Sequence, residues 1–153
     1  MKTIQGIMKL KNRGEKISMV TCYDFTSAKI VNETDVDVVL VGDSTAMVMH
    51  GHDTTIPATI EMMATHVAAV RRGLTHKFLV VDMPFLAHRK DRKTVMESVD
   101  ALMKAGANAV KIEGGNGQTE IIRHIVESDV PVMGHLGLTP QSVNMVGGWR
   151  VQG

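Results

Sequence analysis

The chain has 153 residues and a formal net charge of +1, from 17 Lys and Arg against 16 Asp and Glu. This balance provides no basic surface for a phosphate backbone, and three Phe, one Tyr and one Trp are too few for a base-stacking platform. We therefore expect no nucleic-acid binding. The single cysteine, Cys22, rules out an internal disulfide and suits a reducing cytosol. No run approaches the ~20 apolar residues of a membrane span, and the first residues do not resemble a signal peptide.

Short apolar runs alternate along the chain with longer segments of helical periodicity. The middle runs are almost entirely apolar, which is typical of strands buried on both faces of a parallel sheet. The predicted strands are 17–21, 35–41, 78–81, 109–112 and 130–133.

Apolar residues three and four positions apart predict the helices between these strands. Pro57 is placed in the first turn of one helix and Gly73 at its end, and a second helix stops at Gly106. A third helix carries the apolar stripe of 121–126, and 25–31 is a weaker helical segment. Five alternations of strand and helix predict an α/β protein. They leave open a doubly wound sheet or part of a (β/α)₈ barrel.

Acidic residues follow three of the predicted strands, at the sheet edge where α/β proteins bind ligands. Asp43, Asp82 and Glu113 would repel one another there unless they share a cation or take up protons. Oxygen ligands without cysteine favour Mg²⁺ before Ca²⁺ or Mn²⁺. The alternative is that each acid only caps a helix, and for Asp82 the two interpretations are equally supported.

Two further polar residues fall on the same rim. Lys111 lies two positions before Glu113, so both side chains point to one side of the strand. We expect Lys111 either to bind a substrate carboxylate or to form a structural salt bridge with Glu113. His135 follows the fifth strand and could bind a substrate oxygen, although a hydrogen-bonded core histidine is the commoner case.

Three weaker signals favour a structural interpretation. His50-Gly51-His52 resembles a metal-binding pair, but no third nitrogen or sulfur ligand is near in sequence. The glycine-rich segment 114–117 is more typical of a tight turn than of a phosphate loop, because the remaining glycine of the motif is missing. Cys22 is expected in the core.

Six blocks of the sequence resemble the ketopantoate hydroxymethyltransferase (3-methyl-2-oxobutanoate hydroxymethyltransferase) family. The resemblance is nearly collinear from about 17 to 153, and the combination of blocks is more specific than any one of them. The blocks are 41–44, 51–57, 66–73, 82–85, 106–115 and 134–142.

The resemblance implies a fold and a reaction. The fold is a (β/α)₈ TIM barrel of the phosphoenolpyruvate/pyruvate type, in a cytoplasmic homo-oligomer that is often a decamer. The reaction transfers a hydroxymethyl group from 5,10-methylenetetrahydrofolate to 3-methyl-2-oxobutanoate, through a Mg²⁺-stabilised enolate. The product is 2-dehydropantoate, in pantothenate biosynthesis.

The resemblance also implies residue roles. Asp43 and Asp82 would ligate Mg²⁺ and contact the oxo acid, and Glu113 would complete the metal site. Ser44 and Lys111 would bind the substrate carboxylate or keto oxygen, with His135 close by. The family's catalytic base has no counterpart here and is expected beyond residue 153.

A complete barrel typically has ~250 residues, so we expect residues 1–153 to be a single domain that forms the N-terminal portion of one. About three strands of the barrel would then be absent, and the first and fifth strands would have unpaired edges. Two alternatives remain. One is a Mg²⁺-dependent enzyme on another 2-oxo acid, such as a C–C lyase, and the other is an inactive fragment that serves as an interaction module.

Overall fold

Five parallel strands form one sheet in a computed structural model that describes residues 2–146. The sheet has the order β1-β2-β3-β4-β5, so each strand pairs with the next along the chain. This order excludes the doubly wound alternative, in which the strand order reverses within the sheet. The strands are β1 (Met19–Thr21), β2 (Val38–Val41), β3 (Phe78–Asp82), β4 (Ala109–Glu113) and β5 (Val132–His135).

Helices connect the strands, as the periodicity predicts. The last part of the collinear resemblance, residues 147–153, lies outside the described residues. The helices are α1 (Ile4–Asn12), α2 (Phe25–Asn32), α3 (Thr45–Val48), α4 (Ile60–Gly73), α5 (Arg92–Lys104), α6 (Thr119–Glu127) and α7 (Val143–Val146), with 3₁₀ turns at Ala87–Arg89 and Pro140–Ser142.

β1 begins at Met19 and β5 spans Val132–His135, so the predicted strands 17–21 and 130–133 each begin about two residues too early. Two further predicted boundaries are wrong for local reasons. The helix expected from Pro57 begins at Ile60, because the Thr59 side chain accepts a hydrogen bond from the Met62 backbone N–H and caps it. The second strand begins at Val38 instead of residue 35. The Asp37 carboxylate accepts hydrogen bonds from the backbone and side chain of Ser18, which fixes this stretch as a loop.

The two faces of the sheet are covered differently. Alternate residues of the central strands, such as Val39 and Leu79, pack with the connecting helices in the larger core cluster. The opposite face carries a smaller cluster of Val38, Leu40, Phe78, Val80 and Ala109, against which Ile7 of α1 packs. This second face would point into a closed barrel.

The outer strands have free edges within the described part of the chain. β1 pairs there with β2 alone, and β5 with β4 alone. Met19 and Val20 of β1 are exposed, whereas all residues of β2, β3 and β4 are buried. In residues 2–146, no helix is both long and apolar enough to cross a membrane.

Candidate active site

Four charged side chains meet at the carboxyl ends of the central strands. Asp82 ends β3, whereas Lys111 and Glu113 belong to β4, and all three continue the face of the small inner cluster. Asp43 follows β2 by two residues. The exposed fractions are 3% for Asp43 and Asp82, 5% for Glu113 and 8% for Lys111. The sheet therefore brings together the three acids and the lysine that the sequence predicts.

Lys111 is the cation at the centre of this cluster. Its Nζ lies 2.5 Å from Asp82 Oδ1 and 3.7 Å from Glu113 Oε1. The two strands are in register at this point, with Lys111 beside Asp82. The salt bridge anticipated for Lys111 thus exists, but its shorter contact is to Asp82 and not to Glu113.

Asp43 is the carboxylate most affected by its surroundings. Its backbone N–H donates to Asp82 Oδ2 over 3.1 Å, and its own Oδ2 accepts a 2.8 Å hydrogen bond from Gln141 Nε2. Burial, and then the nearby charge of Asp82, raise the pKa of Asp43 to about 6. Burial also raises the pKa of Asp82, although Lys111 opposes this shift.

Glu113 is held by two donors from the far side of the site. His135 Nδ1 lies 2.9 Å from Glu113 Oε1, and the Gln141 backbone N–H donates to Oε2 over 3.1 Å. When Glu113 is ionised its carboxylate can only accept, and the Nδ1 of His135 then carries the proton in this contact. His135 is half-buried, and its hydrogen bond to Glu113 fixes the orientation of its ring.

Ser44 lies beside the cluster, next to Tyr23. Its Oγ is 2.8 Å from the Tyr23 hydroxyl. A Cβ at Gly42 would come within 2.9 Å of Ser44 Oγ and 3.4 Å of Asp82 Oδ2. Glycine at position 42 therefore lets the serine and the aspartate approach one another. All six predicted site residues lie on this rim.

The helix-capping alternative fails for the acids. Ser44 occupies the cap position of α3, and Asp43 bonds instead to the side chain of Gln141. Asp82 contacts Lys111 and the Asp43 backbone, and Glu113 contacts His135 and Gln141. The buried acids therefore form contacts within the site and cap no helix.

The donor chemistry of the cluster suits a hard cation. Three buried carboxylates face one lysine, and their oxygens are the ligands that Mg²⁺ prefers. Among residues 2–146, no three His, Cys, Asp or Glu side chains are already arranged around a common ion position. The metal-binding roles of Asp43, Asp82 and Glu113 remain predictions.

An open cleft of about 770 Å³ adjoins the cluster. It is lined by Gln141, which contacts two acids of the cluster, and by Phe85, Arg89, Gly114 and Leu136. Gly114 and Gly117 have positive φ, at 79° and 68°, so the glycine-rich segment forms the expected turn.

Gln141 and His88 are the site-region residues that the sequence does not single out. Gln141 is 6% exposed and joins Asp43, Glu113 and the Met83 carbonyl. His88 is 2% exposed and borders a cavity of about 60 Å³ with Glu113, and neither ring nitrogen has a hydrogen-bond partner among the described residues. Burial lowers the pKa of His88. Only the inclusion of Gln141 in the block 134–142 pointed to it.

The whole chain, residues 1–153, matches the family described as ketopantoate hydroxymethyltransferase. The chain belongs to this family. It is 54% identical over 153 residues to 3-methyl-2-oxobutanoate hydroxymethyltransferase of Bdellovibrio bacteriovorus, covering 100% of this chain and 58% of that protein. The relative of the same name from Coxiella burnetii is 55% identical over 146 residues, covering 95% and 55%. The chain thus spans little more than half the length of these family members.

Solved structures of the same fold support the partial barrel. 2,3-Dimethylmalate lyase, a PEP mutase/isocitrate lyase superfamily member, matches with a TM-score of 0.64 at 16% identity, covering 88% of this chain and 52% of that one. Phosphonopyruvate hydrolase in complex with oxalate and Mg²⁺ matches with a TM-score of 0.62 at 13% identity, covering 76% and 40%. Residues 2–146 of this family member therefore form five βα units of a (β/α)₈ barrel.

Proposed function

We propose that this chain supplies the metal- and oxo-acid-binding half of a 3-methyl-2-oxobutanoate hydroxymethyltransferase. The observation that carries the proposal is the buried cluster of Asp43, Asp82, Lys111 and Glu113 at the carboxyl ends of the strands. The relatives named for this activity are more than 50% identical to the chain. The complete reaction would yield 2-dehydropantoate for pantothenate biosynthesis.

Asp43 and Asp82 would hold Mg²⁺, and Glu113 would complete its site. This assignment is supported by the excess of buried carboxylates over cations and by the similarly folded phosphonopyruvate hydrolase, which is described with oxalate and Mg²⁺. When bound, Mg²⁺ supplies positive charge that acts as a Lewis acid toward the oxygens of a 2-oxo acid. The raised pKa of Asp43, about 6, fits a carboxylate that benefits from a nearby cation.

Lys111 and Ser44 would bind the oxo acid. The Lys111 ammonium is fixed between Asp82 and Glu113, so it can attract a substrate carboxylate or keto oxygen without first being ordered. Ser44 is oriented by Tyr23 and can donate to the same substrate. His135, held by Glu113, would border the substrate. Removal of the proton next to the keto group is assigned to a base in the part of the longer relatives that this chain does not span.

The cleft beside Gln141 would take the co-substrate, 5,10-methylenetetrahydrofolate. Its volume of about 770 Å³ falls within the range of small-molecule sites, and Arg89 and Asn116 provide polar groups beside the apolar Phe85 and Leu136. Residues 1–153 would form one domain of a cytoplasmic homo-oligomer, with further βα units closing the barrel. A C–C lyase has the same fold, but its 16% identity gives it no comparable support.

Binding of 3-methyl-2-oxobutanoate tests the proposal directly. Calorimetric titration should detect Mg²⁺-dependent binding, and Asp43→Asn should weaken it at least about tenfold because a metal ligand is lost. The matched control is Asp53→Asn, which removes an exposed carboxylate ten positions along the chain and should leave binding unchanged. Binding that ignores Mg²⁺, or equal losses in the two variants, would overturn the assignment.

A further inference from the structure

Two histidines outside the active site face each other on the helical side of the molecule. His50 follows α3 and His66 lies in α4, and their Nε2 atoms are 3.0 Å apart. The rings meet edge to face, with an interplanar angle of 82° and 5.2 Å between centroids. His50 is exposed and His66 is half-buried, so the pair is open to solutes.

The backbone fixes the protonation pattern of His66. Its Nδ1 lies 2.5 Å from the Tyr23 carbonyl oxygen, and a carbonyl can only accept, so Nδ1 carries the proton. A neutral His66 then presents the lone pair of Nε2 toward His50. Metal-binding histidines are commonly oriented in this way, with one ring nitrogen donating to a carbonyl and the other left to the ion.

We propose that His50 and His66 form a binding site for a borderline transition-metal ion, with Zn²⁺ as the ion to test. Nitrogen ligands favour Zn²⁺, Cu²⁺ or Ni²⁺ over Mg²⁺. Two imidazole nitrogens on a tetrahedral Zn²⁺ lie roughly 3.3 Å apart, close to the 3.0 Å between these Nε2 atoms. A small rotation of the exposed His50 ring would admit the ion in place of the shared proton.

The surroundings of the pair leave room for the remaining ligands. His50 and His66 line a shallow depression of about 250 Å³ together with Glu61, Met62 and Thr65 of α4. Water would complete the coordination, with the Glu61 carboxylate on the same wall. The sequence suggested a pair of His50 with His52, whereas the fold pairs His50 with a residue sixteen positions away.

The site would be linked to the candidate active site through one residue. The Tyr23 carbonyl anchors His66, while the Tyr23 hydroxyl contacts Ser44. A bound ion would tie the loop after α3 to α4 and stabilise the residue that orients Ser44. The site is nevertheless separate from the carboxylate cluster, and it can be measured without any oxo acid.

Zn²⁺ titration of the chain, by calorimetry near pH 7.5 with excess Mg²⁺ to occupy the carboxylates, tests the proposal. We expect one Zn²⁺ per chain, with affinity reduced at least about tenfold in His50→Ala and in His66→Gln. His52→Ala is the matched control, since this neighbouring exposed histidine should leave the affinity unchanged. Thermal unfolding in chelator checks that each variant folds. If His66→Gln does not fold, His50→Ala still tests the proposal, because His50 is exposed and its replacement should not disturb the fold.

Nitrogen-detected magnetic resonance provides a second readout. Zn²⁺ should shift the Nε2 signals of His50 and His66 and leave those of His52 in place. The proposal is wrong if the wild-type chain binds no Zn²⁺ under these conditions. It is also wrong if His50→Ala binds as tightly as the wild type, or if His52→Ala loses as much affinity as His50→Ala. None of these results depends on the proposed transferase function.

Discussion

Asp43 is a carboxylate that the fold keeps away from water. Its folded pKa of about 6 lies above the ordinary value of 3.8, mainly because burial disfavours the charged form. Between about pH 4 and pH 6 the folded chain therefore keeps a proton that the unfolded chain has released. The free energy of unfolding therefore decreases as the pH rises through this window. Above about pH 6 the total loss corresponds to roughly 3 kcal/mol.

Asp43→Asn should therefore stabilise the chain at neutral pH. The amide oxygen can still accept the hydrogen bond from Gln141, and no charge is buried. In chelator, we expect the free energy of unfolding in urea to rise by roughly 1 to 3 kcal/mol near pH 7.5 and to change little near pH 4. A variant that is less stable than the wild type at both pH values would show that Asp43 is not strained by its burial.

Lys111 stabilises the folded chain, whereas ionised Asp43 destabilises it, because Lys111 neutralises two buried acids. Lys111→Met should lower the free energy of unfolding by about 3 to 5 kcal/mol, since Asp82 and Glu113 lose their cation. Lys104→Met is the control, because the exposed Lys104–Asp100 pair contributes at most about 0.5 kcal/mol. Equal effects in urea unfolding would mean that the buried ion pair contributes no more than a surface one.

At the scale of elements, α2 and α4 pack at very short range around Gly73, the last residue of α4. A Cβ there would lie 2.6 Å from Ala28 Cβ and 2.8 Å from the Phe25 carbonyl oxygen, so one helix must move. We expect Gly73→Ala to destabilise the chain by about 1 to 3 kcal/mol.

Gly6→Ala makes the same substitution inside α1, where the nearest atom is the Thr3 hydroxyl oxygen at 3.6 Å. It should stabilise the chain by roughly 0.5 to 1 kcal/mol, because alanine favours a helix. The two variants are compared by thermal or urea unfolding. A neutral Gly73→Ala would show that the α2–α4 contact is looser than described.

The sequence predicts the elements that have strong local signals. β3 and β4 begin where their apolar runs begin. The helix predicted to stop at Gly106 ends at Lys104, two residues earlier, and the positive φ of Gly106, 115°, prevents the helix from continuing. α1 gives no such signal, since none of its residues is fully buried. Its packing depends on Ile7 meeting strands that come much later in the chain.

The site residues, like the helices and strands, are predictable from the sequence only where the signal is local. The acids and Lys111 follow from their positions at strand ends. Gln141 does not, because its role depends on a contact with Asp43 across 98 positions of sequence. The partner of Lys111 was also set by strand register, which places Asp82 beside it.

At the scale of the whole molecule, the described sheet is one side of a barrel. Its inner face carries the charged cluster at one end and the contact with α1 at the other, while β1 and β5 leave edges that further strands could pair with. The relatives from Bdellovibrio and Coxiella are nearly twice as long as the segment that matches. The groups proposed to bind the metal and the oxo acid would therefore lie in the first part of the barrel, and the catalytic base would lie in the part that this chain does not span.

The most direct test is deuterium exchange at C3 of 3-methyl-2-oxobutanoate in D₂O, followed by magnetic resonance. The polypeptide is a chimera in which residues 1–153 replace the matching 58% of the Bdellovibrio relative. We predict Mg²⁺-dependent exchange by the chimera, a loss of at least about a hundredfold in Asp82→Asn, and no exchange by residues 1–153 alone. No exchange by the folded chimera with Mg²⁺ present would contradict the assigned function. Exchange by residues 1–153 alone would contradict the division of the site between binding groups and base.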